Sequence, residues 1–152
     1  MLAASPLAAK DNLGTYDSWG AFRDASQPRC YAVSMAMPST KRRDYQPFAS
    51  VGTWPRKQVR NQLHFRLSRA MAPQSRVTLI ISGKRFQLIG GSGDAWATDP
   101  RMDAAIVAAM RSAGSMTVSA RDLGGNLFSN SYNLAGAATA MDAATLGCAR
   151  LR

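Results

Sequence analysis

RVTLIISGKRFQLI, residues 76–89, decides the fold. It holds two short apolar-rich runs, Arg76 to Ile81 and Lys84 to Ile89, joined only by Ser82-Gly83. A two-residue connection containing Gly closes a tight antiparallel hairpin. On either side of it the same grammar continues. Residues 31–37 alternate, with Tyr31, Val33, Met35 and Met37 on one side and Ala32, Ser34 and Ala36 on the other. Asn61 to Ser68 repeats the period of two: Leu63, Phe65 and Leu67 are set to point inward, and Gln62, His64, Arg66 and Ser68 outward. That is the pattern of half-buried strands.

Further strands are expected at Ser18 to Arg23, Phe48 to Trp54, Ala95 to Thr98, Ser115 to Ala120 and Leu127 to Leu134, with Gly124-Gly125-Asn126 as a second hairpin turn. Helical spacing occurs twice. Asp99 as N-cap and Pro100 as first helical residue precede Met102, Ile106, Ala109, Met110 and Ala113 on one face, with Gly114 as the stop. A second helix is expected over about Ala137 to Leu146, leading toward Cys148. Many short strands with close-spaced turns and one or two short helices in the C-terminal half predict a mainly β protein, an antiparallel sandwich. The stretches Lys41 to Pro47 and Ala70 to Ser75 read as loops on one body, so residues 11–152 are expected to form a single domain.

Composition agrees with a globular chain, since 46% apolar and 18% charged residues fit neither a disordered segment nor a coiled coil. No apolar run approaches the roughly 20 residues of a membrane-spanning helix. Residues 1–10, MLAASPLAAK, resemble the tail of a secretory signal without its basic start; the other reading is an Ala-rich disordered N-terminus. There are two cysteines, Cys30 and Cys148. With no Cys-x-x-Cys spacing, such a remote pair reads as a structural bridge in an oxidising compartment, the competing reading being two buried reduced thiols.

The net charge of +10 is concentrated in the middle of the chain, where eleven basic residues from Lys41 to Arg85 face the single acid Asp44. A field of that sign attracts anionic partners and weakens with salt. Arg42, Arg43, Arg56, Lys57 and Arg60, interleaved with Tyr45, Trp54 and Phe65, form the candidate anion-binding face. The bland reading is a solvated basic surface that aids solubility.

Other chemistry finds little support in the sequence. The sole histidine, His64, lies on the outward side of its strand with no partner near in sequence, and no Gly-x-Ser-x-Gly elbow accompanies it. Gly90-Gly91-Ser92-Gly93-Asp94 lacks the Lys-Ser/Thr of a phosphate-binding loop and reads as a turn. The nine acidic residues are too scattered for a calcium loop or paired carboxylates, so no metal or cofactor is expected. Trp19 and Trp96, in Gly/Ala surroundings, read as core residues.

Several runs, in their order and spacing, are similar to the invasion-associated locus B family of bacterial exported proteins. These are Trp19-Gly20-Ala21-Phe22 followed by Arg29-Cys30-Tyr31-Ala32; Val77 to Phe86; Ala95-Trp96-Ala97; Ala109-Met110-Arg111; and Ser131-Tyr132-Asn133-Leu134-Ala135-Gly136. The resemblance extends from about Gly14 onward. It implies an immunoglobulin-like β-sandwich in the periplasm or cell envelope, or secreted, linked to host-cell invasion and envelope fitness, and it implies no established catalytic activity. Family members often carry a cysteine shortly after the early Trp, whereas Phe22-Arg23-Asp24 here has none. Charge and resemblance together lead to the expectation of a non-enzymatic envelope protein. Its basic face would meet an anionic glycan, a lipid headgroup or an acidic protein surface. A nucleic-acid-binding module is the alternative, and an envelope hydrolase using His64 is a third reading.

Overall fold

The computed structural model describes residues 10–149; the signal-like start, residues 1–9, lies outside them. The protein is mainly β. Its strands are β1 (Asp11–Tyr16), β2 (Trp19–Asp24), β3 (Arg29–Met35), β4 (Phe48–Trp54), β5 (Val59–Arg66), β6 (Val77–Ile81), β7 (Lys84–Gly91), β8 (Asp94–Trp96), β9 (Ser115–Arg121) and β10 (Leu127–Asn133). Helix α1 (Pro100–Ser112) lies between β8 and β9, and α2 (Ala137–Cys148) follows β10.

All pairings are antiparallel, in the order β1-β2-β3-β4-β5-β8-β7-β6-β9-β10. The ladder is therefore one ten-stranded sheet, where the strand pattern alone predicts an antiparallel sandwich. The strand that makes it continuous is β7. Its first five residues, Lys84 to Leu88, pair with β6, and its last three, Ile89 to Gly91, pair with β8. Gly90 makes this transfer feasible, because a Cβ there would sit 2.7 Å from the Asp94 carbonyl oxygen and 3.0 Å from the Met71 sulfur.

The deciding hairpin forms as its sequence dictates. Ser82 and Gly83 both have positive φ, 49° and 78°, the conformation whose twist matches the flanking strands. The sheet then curls until its last strand crosses the core to the other half. The rings of Phe65 (β5) and Tyr132 (β10) lie 5.7 Å apart, and the Trp19 indole N–H on β2 donates to the Asn133 carbonyl at 2.8 Å. Inside this curl Leu63, Phe65, Leu67, Leu79, Ile81, Val118 and Met116 are fully buried. Each such aliphatic or aromatic side chain contributes about 1.5–3 kcal/mol relative to exposure.

Helix α1 begins where expected. The Asp99 carboxylate accepts the Met102 amide at 2.8 Å, satisfying one free donor of the first turn, a cap worth about 1 kcal/mol. It ends at Ser112, with Ala113 extended, and Gly114 instead accepts the Leu134 amide through its carbonyl. Helix α2 covers β1 to β4 with its small face, Ala137, Ala140 and Ala144, and Met141 beside them. Against it β3 turns Cys30, Ala32 and Ser34, all buried, so the small side of that alternating strand is the inner one and Met35 is left exposed. This close approach brings Cys148 to Cys30 in a disulfide, Cα to Cα 5.8 Å.

Strand β1 escaped the sequence reading because Asp11-Asn12-Leu13-Gly14-Thr15-Tyr16 has no apolar alternation, and its register slips between Asn12 and Gly14. Among the described residues no helix is long and apolar enough to cross a membrane.

Candidate anion-binding groove

The five cations of the expected basic face fall into two groups. Arg42 and Arg43 lie on the loop between β3 and β4, near the Phe48 end of β4, which pairs with Arg66. Arg56 and Lys57 sit in the 3-10 turn Pro55–Lys57, and Arg60 is the second residue of β5, all at the Trp54 end. The seven residues of β4 separate the groups by roughly 20 Å at strand rise. One small ligand does not bridge that distance.

At the first end the residues build a groove of about 490 Å³. Lys41, Arg42, Arg43 and Arg69 line it with Ser39, Ser68, Ser129 and Asn126. Its floor is held by polar contacts remote in sequence. The Ser68 carbonyl accepts the Asp44 amide at 2.8 Å and the Tyr45 amide at 3.1 Å, tying the loop to the end of β5. Asn130 on β10 accepts the Ser68 amide at 3.1 Å and donates to its hydroxyl at 2.8 Å. Arg69 bridges the two walls, donating to the Arg42 carbonyl at 3.0 Å and to Asp122 at 2.7 Å.

Asp122 in turn organises the β9–β10 turn, its other oxygen accepting the amides of Gly124 and Asn126 at 3.0 and 2.9 Å. The Asn126 amide first, and the Arg69 guanidinium next, hold the Asp122 carboxyl below the usual carboxylate range. It stays an anion, and Arg69 stays committed to it. Lys41, Arg42 and Arg43 are then the cations facing the groove; Arg42 lies 3.4 Å from Asp44, and Arg43 donates to the Met37 carbonyl at 2.6 Å. Guanidinium and ammonium groups around a groove that also offers hydroxyl and amide groups suit phosphate, sulfate or carboxylate oxygens.

The second group borders a wider cleft of about 830 Å³ between the β4–β5 turn and the C-terminal ends of both helices. Arg60 reaches it, with Arg111 and Asp142 already paired to each other. Arg56 and Lys57 are exposed and do not line it.

His64 has the partner that the sequence did not display. Its Nε2 lies 2.9 Å from Asp94 Oδ1, and Arg66 donates to the other oxygen at 3.0 Å. The imidazole stacks on Trp96 at 5.4 Å and meets the edge of Phe48 at 5.5 Å. Trp96 is therefore not a core residue: it is 36% exposed on the outer sheet face, while Trp19 is fully buried. Ser50 stands opposite His64 in register, but no hydrogen bond joins the two among the described residues. Asp94 is thirty residues from His64 and β5–β8 pairing alone unites them, so only the strand order carries that signal. On the same face Arg29 is inserted between the rings of Tyr31 and Trp54, 4.2 and 4.8 Å from their centroids, and burial lowers its pKa from the ordinary value.

No family model, curated protein or solved structure matches the chain.

Proposed function

We propose that this protein is a non-enzymatic, exported component of the cell envelope, of the invasion-associated locus B type, that holds an anionic partner in the groove at Lys41, Arg42 and Arg43. The observation that carries the reading is the groove itself: among the described residues Lys41, Arg42 and Arg43 line it, no acid does, and the fourth lining cation, Arg69, is already paired with Asp122. Export is supported by the Cys30–Cys148 disulfide, a bond that persists in oxidising compartments. The immunoglobulin-like classification belongs to the same proposal, and the packing of β10 across from β5 supports it. Binding is favoured over catalysis because His64 is packed between Phe48 and Trp96 and its carboxylate partner is shared with Arg66.

The test compares binding to an anionic glycan, lipopolysaccharide and anionic vesicles at about 50 and about 300 mM salt, across which screening shortens sharply. Replacing Lys41, Arg42 and Arg43 by Ser weakens binding at low salt, whereas replacing Arg56, Lys57 and Arg60 by Ser has the smaller effect. Indifference of the unmodified protein to all three partners at low salt removes the proposal. Full biological activity of His64→Gln is the matching outcome on the catalytic side.

A further inference from the structure

The β9–β10 turn presents two leucines to solvent beside this groove: Leu123 is 72% and Leu127 65% exposed. Single exposed apolar residues are ordinary on any surface. These two differ in being held out by a rigid frame. Asp122 fixes the turn through two backbone amides and Arg69, the Gly125 amide donates to the Asp122 carbonyl, and the Asp122 amide donates to Asn126. Neither leucine folds back onto the core, because Asp122 and Phe128, their chain neighbours, take the inward positions.

Cations border Leu127. Arg121 is the cross-strand partner of Leu127 and is tied to the tip through the Gly125 carbonyl at 3.0 Å. Leu127 itself lines the groove with Lys41, Arg42 and Arg43. The acids nearby are spent locally, Asp122 on Arg69 and Asp44 beside Arg42. Apolar side chains on a stiff turn, with cations along one side, match a bilayer interface in which acyl chains lie just beneath anionic phosphates. A soluble polyanion would use the cations and leave the leucines in water.

We infer that the β9–β10 turn docks on an anionic lipid surface, with Leu123 and Leu127 entering the interface while Lys41, Arg42, Arg43 and Arg121 meet lipid phosphates. This rests on the reading of the groove as an anion site and names its partner as lipid. The experiment is cosedimentation with vesicles of phosphatidylcholine alone or mixed with phosphatidylglycerol, run beside binding to heparin as the soluble anion. The Leu123→Ser variant lowers affinity for the mixed vesicles by about tenfold, the scale of withdrawing one partly buried side chain, and leaves heparin binding unchanged; adding Leu127→Ser lowers vesicle affinity further. Replacing Lys41, Arg42 and Arg43 by Ser lowers both.

Unchanged vesicle binding by the leucine variant, or an equal loss toward heparin, overturns lipid docking while the anion reading stands. Equal binding to pure phosphatidylcholine overturns the charge part of the docking. If the unmodified protein binds neither heparin nor mixed vesicles, the underlying reading itself fails. Leu123→Trp keeps the tip apolar and gives an independent measure: its added emission shifts to the blue with mixed vesicles, and an unshifted spectrum counts against insertion.

Discussion

Under α2 the curled sheet is closed by apolar packing and a covalent bond; at the β9–β10 edge it is closed by polar groups. In the first region small residues on both partners, Ala32 on β3 and Ala140 and Ala144 on α2, let the helix lie close enough for Cys30 to meet Cys148. In the second, Asn130 grips Ser68 and Arg69 grips Asp122. The two closures answer to different conditions. A disulfide is indifferent to acid and salt and yields to reductant, whereas charge-assisted hydrogen bonds respond to protonation and survive reduction. The candidate site sits on the second closure.

The largest expected effect is on the covalent side. Reduction, or replacing Cys30 and Cys148 by Ala, lowers stability by about 2–5 kcal/mol, read from urea midpoints with and without reductant. If the midpoint does not move, the helix is held by packing alone and the contrast between the regions disappears. Next comes Asn130→Ala, which leaves the buried Ser68 amide without its acceptor and costs about 1–3 kcal/mol. The groove loosens with it, so hydrogen exchange at Asp44 and Tyr45, whose amides rest on the Ser68 carbonyl, accelerates.

A smaller effect has the opposite sign. The hydroxyl of Tyr132 is buried without a hydrogen-bond partner among the described residues, and burial pushes its pKa up. Tyr132→Phe removes the desolvated group and keeps the ring against Phe65, raising stability by about 1 kcal/mol. A loss in calorimetry would mean that the hydroxyl is satisfied after all.

The subtlest test is pH, because two buried aspartates are driven in opposite directions. Asp122 has its pKa lowered from 3.8, so its contribution is present above that value and is lost as pH falls through the folded one. Asp103 on α1, which accepts the Leu63 amide at 2.9 Å, has its pKa raised from 3.8, burial being the main cause. The folded protein holds that proton more tightly. Its contribution is present below 3.8 and is lost as pH rises through the raised value. In acid melts, Asp122→Asn flattens the fall in stability below the ordinary carboxylate value, and Asp103→Asn removes the decline just above it while preserving the acceptor for Leu63. Identical profiles for the two variants would sink the assignment.

What the sequence disclosed was local. Ser82-Gly83, Asp99-Pro100 and the inward Leu63 and Phe65 each carry their own geometry within a few residues, and each forms as expected; the strand stops at Arg66, and Ser68, expected outward, is buried against Asn130. The clasp was also legible, since two cysteines admit only one intramolecular partner. Period alone does not say which side of a strand is inside: for β3 the alanines are, because the covering helix is itself made of alanines. Nor does it report pairings that depend on strand order. Arg69 with Asp122 and His64 with Asp94 are separated by 53 and 30 residues and meet only once the single sheet has curled. The five cations of the basic face likewise are near in sequence but stand at opposite ends of β4.

The distance along the chain between the two cysteines, 118 residues, bears on how the molecule is made. A polypeptide emerging from its N-terminus first displays Cys30 long before Cys148 exists, with β4 through β10 still to come. Throughout that interval the early thiol has no native mate. Correct oxidation thus serves as a certificate that the last helix has arrived.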